Sequence, residues 1–230
     1  MDIVFSPLRS DDSLSLHVSG DTVTFNGISF NFSQIAEGEI LPASAVGCNM
    51  LKGNVTRSGG ALQLEILLPY SPAGDVNGDG EITDMDVPEA IRFPAPLSIS
   101  ENGPISAPGL SEHQGITGQG TIDWSKLVTV AHQKQDRLNE WRASTSIPKL
   151  ELLLNLVKAE IISEESAMSS DIPAEFVPII DAMPNPPRAE IRIRWAHLVD
   201  VPRSSPFVGI VQNAFGWTDE TVDGLFGWED

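Results

Sequence analysis

Residues 13–32 have the sequence SLSLHVSGDTVTFNGISFNF, and this stretch decides the fold of the first half of the chain. Three short runs of alternating apolar and polar residues, at 13–18, 22–25 and 28–32, are separated by Gly20-Asp21 and Asn26-Gly27. Asn-Gly between two such runs is a strong signal for a two-residue β-hairpin. The stretch therefore predicts consecutive antiparallel strands.

Strand patterns continue on both sides of this stretch. Residues 3–5 and 62–68 alternate in the same way, with Leu62, Leu64 and Ile66 on one face. Beyond residue 68, prolines at positions 69, 72, 88, 94 and 96 interrupt a long irregular excursion. We predict an antiparallel β domain over residues 1–110, with residues 75–86 as an insertion.

The second half of the chain changes to helical periodicity. Apolar residues at 150, 153, 154, 157, 161 and 162 fall on one helical face. Ser205-Pro206 and Thr218 are typical of helix starts. Residues 111–121, at the end of a stretch rich in Gly, Ser and Pro, are predicted to be a linker. The predicted fold class is α+β, with a mainly α-helical region over residues 122–230.

Residues 75–86, Asp-Val-Asn-Gly-Asp-Gly-Glu-Ile-Thr-Asp-Met-Asp, match a calcium-binding loop. An EF-hand loop supplies oxygen ligands from positions 1, 3, 5, 7, 9 and 12 and has Gly at position 6. The predicted ligands of Ca²⁺ are Asp75, Asn77, Asp79, Glu81 through its backbone carbonyl, Thr83 and Asp86. Ile82 is the apolar residue expected to anchor the loop. The alternative is a solvated turn, because Asn-Gly and Asp-Gly are strong turn dipeptides.

Charge and cysteine content exclude several classes of protein. The formal net charge of −18 on 230 residues opposes binding to phosphates, so we expect no nucleic-acid partner. The single cysteine, Cys48, is predicted to be a small buried residue rather than a catalytic thiol. No apolar run approaches the length of a membrane span, and no secretory signal is visible, so we expect synthesis in the cytoplasm without membrane insertion.

Neither the histidines nor the serines predict catalysis. The histidines, at positions 17, 113, 132 and 197, do not stand at metal-ligand spacing on a helix face. No serine lies in a nucleophile-elbow pattern, and the chain is therefore predicted not to be an enzyme. Trp195 is predicted to be a core residue, whereas Trp217 and Trp228 fit either a small helical core or an interface.

Several segments resemble a small β protein encoded near the tail genes of tailed bacteriophages and prophages. The resemblance covers residues 1–100 and rests on segments that follow one another in the same order. These are Phe5-Ser-Pro-Leu-Arg-Ser-Asp, Phe25-Asn-Gly-Ile-Ser-Phe-Asn-Phe-Ser, Leu41-Pro-Ala, Gly53-Asn-Val-Thr-Arg, Leu67-Leu-Pro and Arg92-Phe-Pro-Ala-Pro. The loop at 75–86 resembles the loops of dockerin repeats and is an addition to the family's usual short connection.

The resemblance implies a structural component of the tail, at its tip, baseplate or fibres, that contacts other tail proteins and is oligomeric within the virion. Two alternatives remain open. One is an assembly chaperone for tail fibres that is absent from the virion, and the other is a calcium-dependent module that binds a host receptor or glycan. The position of all five tryptophans at or beyond residue 124, outside the predicted β domain, disfavours the last of these.

Overall fold

The computed structural model describes residues 1–72, 74, 78, 80–112 and 115–228. Contacts divide the chain into Met1–Gln133 and Lys134–Asp230, which we call the β unit and the helical unit. Each has a hydrophobic core of its own.

The first sheet of the β unit contains the longest strands. Its strands are β1 (Asp2–Arg9), β5 (Ile40–Leu41), β6 (Val55–Ser58), β7 (Ala61–Tyr70) and β8 (Leu97–Ser98), in the spatial order β5-β6-β7-β1-β8. The centre of the sheet is a parallel pair, in which β1 runs beside β7 from Asp2↔Gln63 to Arg9↔Tyr70. The other pairs in this sheet are antiparallel.

The second sheet contains the hairpins predicted from residues 13–32. Its strands are β2 (Leu16–Ser19), β3 (Thr22–Phe25), β4 (Ile28–Asn31), β9 (Gly103–Pro104) and β10 (Gly118–Gln119), in the order β10-β4-β3-β2-β9. Asn26 and Gly27 both have positive φ, 47° and 86°, as a type I′ turn requires. Strand β10 pairs with β4 in parallel.

A single core joins the two sheets. Alternate residues point inward from both, for example Ile3 and Phe5 of the first sheet and Phe25 and Phe30 of the second. Residues 122 and 128 extend the β unit through isolated bridges, Val46↔Ile122 and Ile40↔Val128. Because this backbone is already paired with strands, the helical region predicted from residue 122 has its first α-helix only from Val130. Asp123 instead caps a single 3₁₀ turn, Trp124–Lys126.

Helices dominate the rest of the described chain. Short helix α1 (Glu89–Arg92) belongs to the β unit, and α2 (Val130–Ser144) leads out of it. The remaining helices are α3 (Lys149–Lys158), α4 (Glu164–Met168), α5 (Val177–Asp181), α6 (Pro187–His197), α7 (Pro206–Phe215) and α8 (Asp219–Leu225). A two-stranded ribbon pairs β11 (Ser146–Pro148) with β12 (Asp200–Pro202). The hydroxyls of Ser205 and Thr218 accept backbone hydrogen bonds at the starts of α7 and α8, as predicted.

The strand-rich first part and the helices of the second confirm the predicted α+β class. The prediction of an antiparallel β domain was wrong at its centre, because β1 and β7 are parallel. Parallel strands need a long crossover connection, and the chain between β1 and β7 is long enough to include the hairpins of the second sheet. Residues 118–119, inside the predicted linker, form β10.

Candidate functional site

Only part of the predicted calcium loop lies among the described residues. Asp75, Asn77 and Asp79 lie outside them, whereas Glu81, Thr83 and Asp86 lie inside. Gly80, at the turn position of the loop, has φ of +87°. The geometry of the site can therefore be built from its second half.

Thr83 and Asp86 lock the end of the loop into a capping box. The hydroxyl of Thr83 accepts a hydrogen bond from the backbone N–H of Met85 at 3.2 Å. The backbone N–H of Thr83 donates to Oδ2 of Asp86 at 2.8 Å, and Asp86 is only 5 % exposed. Such a reciprocal box fixes the first turn of a helix, here the 3₁₀ turn Asp84–Asp86. Two predicted ligands are thus held close together by the local fold.

Asp84 ties this turn to the first sheet. Its carboxylate accepts hydrogen bonds from Arg9 Nη1 at 3.1 Å, at the end of β1, and from the Tyr70 hydroxyl at 3.2 Å, at the end of β7. Desolvation, followed by the nearby charge of Asp84, raises the pKa of Tyr70. Ile82, which was expected to anchor the loop, is instead 58 % exposed. The turn is therefore anchored by polar contacts to the two parallel strands.

Within the described ranges, no group of three or more His, Cys, Asp or Glu side chains stands close enough to hold a metal ion. The predicted calcium site needs Asp75, Asn77 and Asp79 as well, so this finding concerns other places in the fold. The calcium ligands remain a prediction.

The helical unit has an apolar groove between α6 and α7. The groove has a volume of about 610 Å³, and Ile191, Trp195, Phe207 and Ile210 are among its lining residues. Trp195 and Phe207 pack with ring centroids 4.7 Å apart, and Ile210 is only half-buried. Large apolar side chains therefore line a concave surface, on which Phe207 and Ile210 are partly exposed and Ile191 and Trp195 are buried.

Lys149 holds the tryptophan of this groove in place. Its Nζ donates to the backbone carbonyl of Trp195 at 3.0 Å and lies 4.3 Å from the centre of the indole ring. A cation in this position is attracted by the ring quadrupole. Partial burial lowers the pKa of Lys149. Trp195 itself is 2 % exposed, which confirms the prediction of a core residue.

A charged cluster ties together three segments of the helical unit. Asp223 of α8 accepts hydrogen bonds from Arg203 Nε at 2.7 Å and from Arg142 Nε at 2.9 Å. Asp219 adds contacts at 3.2 Å to Arg203 and 3.3 Å to Arg142. A hydrogen bond from Gln212, and then the two arginines, lower the pKa of Asp219. Both carboxylates are matched by the two arginines, so the cluster links the three segments through ion pairs.

The remaining candidates from the sequence, one histidine, the cysteine and two tryptophans, are either exposed to solvent or packed against apolar residues. His132 is exposed. Cys48 is half-buried and packs against the core of the β unit, and burial raises the pKa of its thiol. Trp228 contacts Trp141 with ring centroids 4.9 Å apart, and Trp217 packs against the helical core. Of the two interpretations of the terminal segment, the structure favours a small helical core.

The apolar groove and the charged cluster were not predicted as sites. The groove and the cluster each combine residues from distant segments of the chain, so no local sequence pattern predicts them. One partial signal for the groove is visible in the sequence, namely the placement of Trp195 on an apolar helix face.

Comparison with known proteins leaves the function to be argued from these surfaces. No protein-family model matches the chain, and neither the curated proteins nor the solved structures give a match. Within the described residues, no helix has both the length and the apolar character needed to cross a membrane.

Proposed function

We propose that the chain is a structural component of a bacteriophage tail that binds other tail proteins. The observation that carries this proposal is the apolar groove between α6 and α7, because concave apolar surfaces with aromatic side chains are typical of protein contacts. The resemblance of residues 1–100 to proteins encoded near phage tail genes names the class of partner.

The groove offers an apolar floor and a charged rim. The partly exposed ring of Phe207 packs on the buried ring of Trp195, and large aromatic side chains dominate contact energies in interfaces. At the rim, Arg194 pairs with Glu190 at 2.7 Å, and both side chains are largely exposed. Exposed ion pairs add little stability to the chain itself, so they are available to select the partner. An amphipathic helix of a neighbouring tail protein fits such a groove.

Mass spectrometry of purified virions tests the proposal. A structural component is expected in particles that have been purified through a density gradient, at a fixed copy number relative to the other tail proteins. Its absence from particles that still infect would refute the proposal. Absence from particles together with uninfective, fibreless particles from a deletion strain would favour an assembly chaperone instead.

A pair of variants tests the role of the groove. Ile210→Asp places a charge on the groove lining, whereas Ile193→Asp places the same charge on a side chain of α6 that is 62 % exposed and does not line the groove. We expect Ile210→Asp to reduce incorporation of the chain into particles when it complements a deletion strain. Equal incorporation of the two folded variants would rule out the groove as the contact surface.

We also propose that residues 75–86 bind Ca²⁺ as a local staple of the β unit. The capping box of Thr83 and Asp86 supports this proposal, since it holds the loop's ninth and twelfth positions together. Calcium at one hundred times its Kd is expected to stabilise the β unit by about 2.7 kcal/mol. Asp75→Ala with Asp79→Ala should remove the effect, and Asp136→Ala on the exposed face of α2 should not. Calorimetry without a calcium heat would contradict the proposal.

A further inference from the structure

A second concave surface, in the β unit, differs from the rest of the molecule in its chemistry. It is a groove of about 350 Å³ in the second sheet, and no charged side chain lines it. Its polar side chains and its one aromatic ring come from Thr22, Ser29, Asn31, Ser33, Gln34, Gln119 and Trp124. The chain as a whole carries a net charge of −18, so a neutral groove is an exception on its surface. We call it the neutral groove.

The register of the second sheet builds the neutral groove. Thr22 of β3 pairs with Asn31 of β4, and Gln119 of β10 pairs with Ser29 of β4. Paired residues on neighbouring strands project to the same face of a sheet. Four neutral polar side chains therefore share one face across three strands, while the buried Phe30 lies on the opposite face.

A glycine allows β10 to close the groove on one side. The backbone N–H of Gly120 donates to the carbonyl of Ser29 at 2.8 Å. A Cβ atom at Gly120 would overlap the ring of Phe30, so a larger residue would force the ring or the backbone to shift. Only glycine permits this approach, and the approach brings Gln119 and Trp124 to the same groove as Asn31.

Several hydrogen-bonding groups of the neutral groove are not used by the fold. The side-chain amides of Gln34 and Gln119 are exposed and make no hydrogen bond to another described residue, so a ligand can reach them. Asn31 accepts the backbone N–H of Ser33 at 2.9 Å through Oδ1, and its Nδ2 donors have no partner in this part of the structure. Each amide group offers donors and an acceptor side by side. These groups point to a ligand with neighbouring donors and acceptors of its own.

We propose that the neutral groove binds a neutral oligosaccharide. Vicinal sugar hydroxyls are donors and acceptors at the spacing of a side-chain amide, and the C–H face of a sugar ring packs against an aromatic ring such as that of Trp124. An anionic ligand would find no cation in the groove and would be repelled by the acidic chain. Binding of a protein segment usually depends on large apolar or arginine side chains at the contact, and the lining of the neutral groove contains few of them.

The proposal is independent of calcium and of the role in a tail. The neutral groove shares no residue with 75–86. Asp21, the charged residue that directly precedes β3, pairs with Arg57 at 2.8 Å and does not line the neutral groove. Sugar binding through this groove should therefore persist in a chelator, unlike binding through a calcium-bridged sugar.

NMR titration of the full-length, 15N-labelled chain tests the proposal. The probes are neutral hexasaccharides of glucose, in α- and β-linked forms, and of N-acetylglucosamine, with oligogalacturonate as the anionic control, all in EDTA. At about 10 mM, ten times a Kd of 1 mM, at least one neutral probe should shift the indole N–H of Trp124 and the side-chain amides of Gln34 and Gln119. Oligogalacturonate should leave these signals unmoved.

Variants assign the binding to the neutral groove. Gln119→Ala and Gln34→Ala remove exposed side chains that the fold does not use, and each should weaken binding roughly fivefold to tenfold. Gln135→Ala, on the exposed face of α2, should leave the affinity unchanged. Trp124 packs partly against the core, so its replacement is a weaker test than the glutamine variants.

Three outcomes would overturn the proposal. They are no shift from any neutral probe, equal shifts from oligogalacturonate, and neutral-probe binding that both glutamine variants leave unchanged. All three are independent of whether the chain is found in virions, so this proposal and the proposed tail function can fail separately.

Discussion

Replacing Asp223 by alanine should remove the central anion of the charged cluster in the helical unit. Asp223 is 2 % exposed and Arg203 is 7 % exposed, and their contact measures 2.7 Å. The substitution leaves a buried guanidinium without its main partner. A buried charge that has lost its partner is one of the few changes that destabilise a protein by several kcal/mol.

The expected loss follows from burial and from the remaining partners. Removing one member of a buried ion pair costs about 3–5 kcal/mol. Arg203 keeps Asp219 at 3.2 Å, so we expect the lower end, about 3 kcal/mol. The pair Asp181–Arg192 has the same 2.7 Å separation but is about half exposed on both sides. Asp181→Ala is the matched control and should cost less than about 1 kcal/mol.

Urea unfolding followed by tryptophan fluorescence measures both variants. Four of the five tryptophans, at positions 141, 195, 217 and 228, lie in the helical unit, so the signal reports mainly on that unit. With a urea m-value of about 1.5 kcal/mol/M, a loss of about 3 kcal/mol lowers the midpoint by about 2 M. The control should move it by less than about 0.7 M.

The comparison of the two aspartates decides whether burial controls the effect. If Asp181→Ala and Asp223→Ala lower the midpoint equally, the reasoning from burial is refuted. Asp223→Asn provides a second check, because it keeps the shape and one acceptor oxygen while removing the charge. It should fall between the wild-type chain and Asp223→Ala.

Two further predictions concern a close backbone contact and a titrating carboxyl. Gly120→Ala should destabilise the β unit by about 1–3 kcal/mol through overpacking against Phe30. Gly209→Ala, which has open space around it in α7, is the control and should be neutral or stabilising by up to about 1 kcal/mol. Thermal unfolding of both variants measures the difference. The pKa of Asp219 is lowered in the folded chain, so the unfolded chain binds more protons. Its stabilisation is present above the ordinary Asp pKa of about 3.9 and is lost as pH falls through the lower folded value. Asp219→Asn should reduce the acid dependence of the unfolding free energy, measured in urea between neutral and acidic pH.

Local signals predicted the local structure well. Asn26-Gly27 fixes its hairpin because few other residues adopt two consecutive positive φ angles. Ser205 and Thr218 mark helix starts because their hydroxyls satisfy backbone N–H groups of the first turn. Each of these signals acts within four residues, which is the range that a single sequence exposes most clearly.

Long-range pairing was not predictable in the same way. Strands β1 and β7 have the alternation of any half-buried strand, and alternation does not reveal direction or neighbour. Their parallel pairing depends on the long connection between them. The same limit hid the neutral groove, since Gln119 and Asn31 are ordinary polar residues until β10 pairs with β4. Trp124 was placed with the helices by its sequence neighbours, yet it belongs to the β unit.

Separate cores make the two proposed contact surfaces experimentally separable. The core residues of the β unit end at Leu127, and those of the helical unit begin at Trp141. A substitution that disturbs one core should therefore leave the other surface intact. Gly120→Ala should abolish the sugar-induced shifts but leave the urea midpoint of the helical unit, followed by tryptophan fluorescence, unchanged. Asp223→Ala should lower that urea midpoint but leave the sugar-induced shifts intact. If both variants lost both properties, the two units would have to fold as one cooperative body, and neither surface could be assigned by mutation alone.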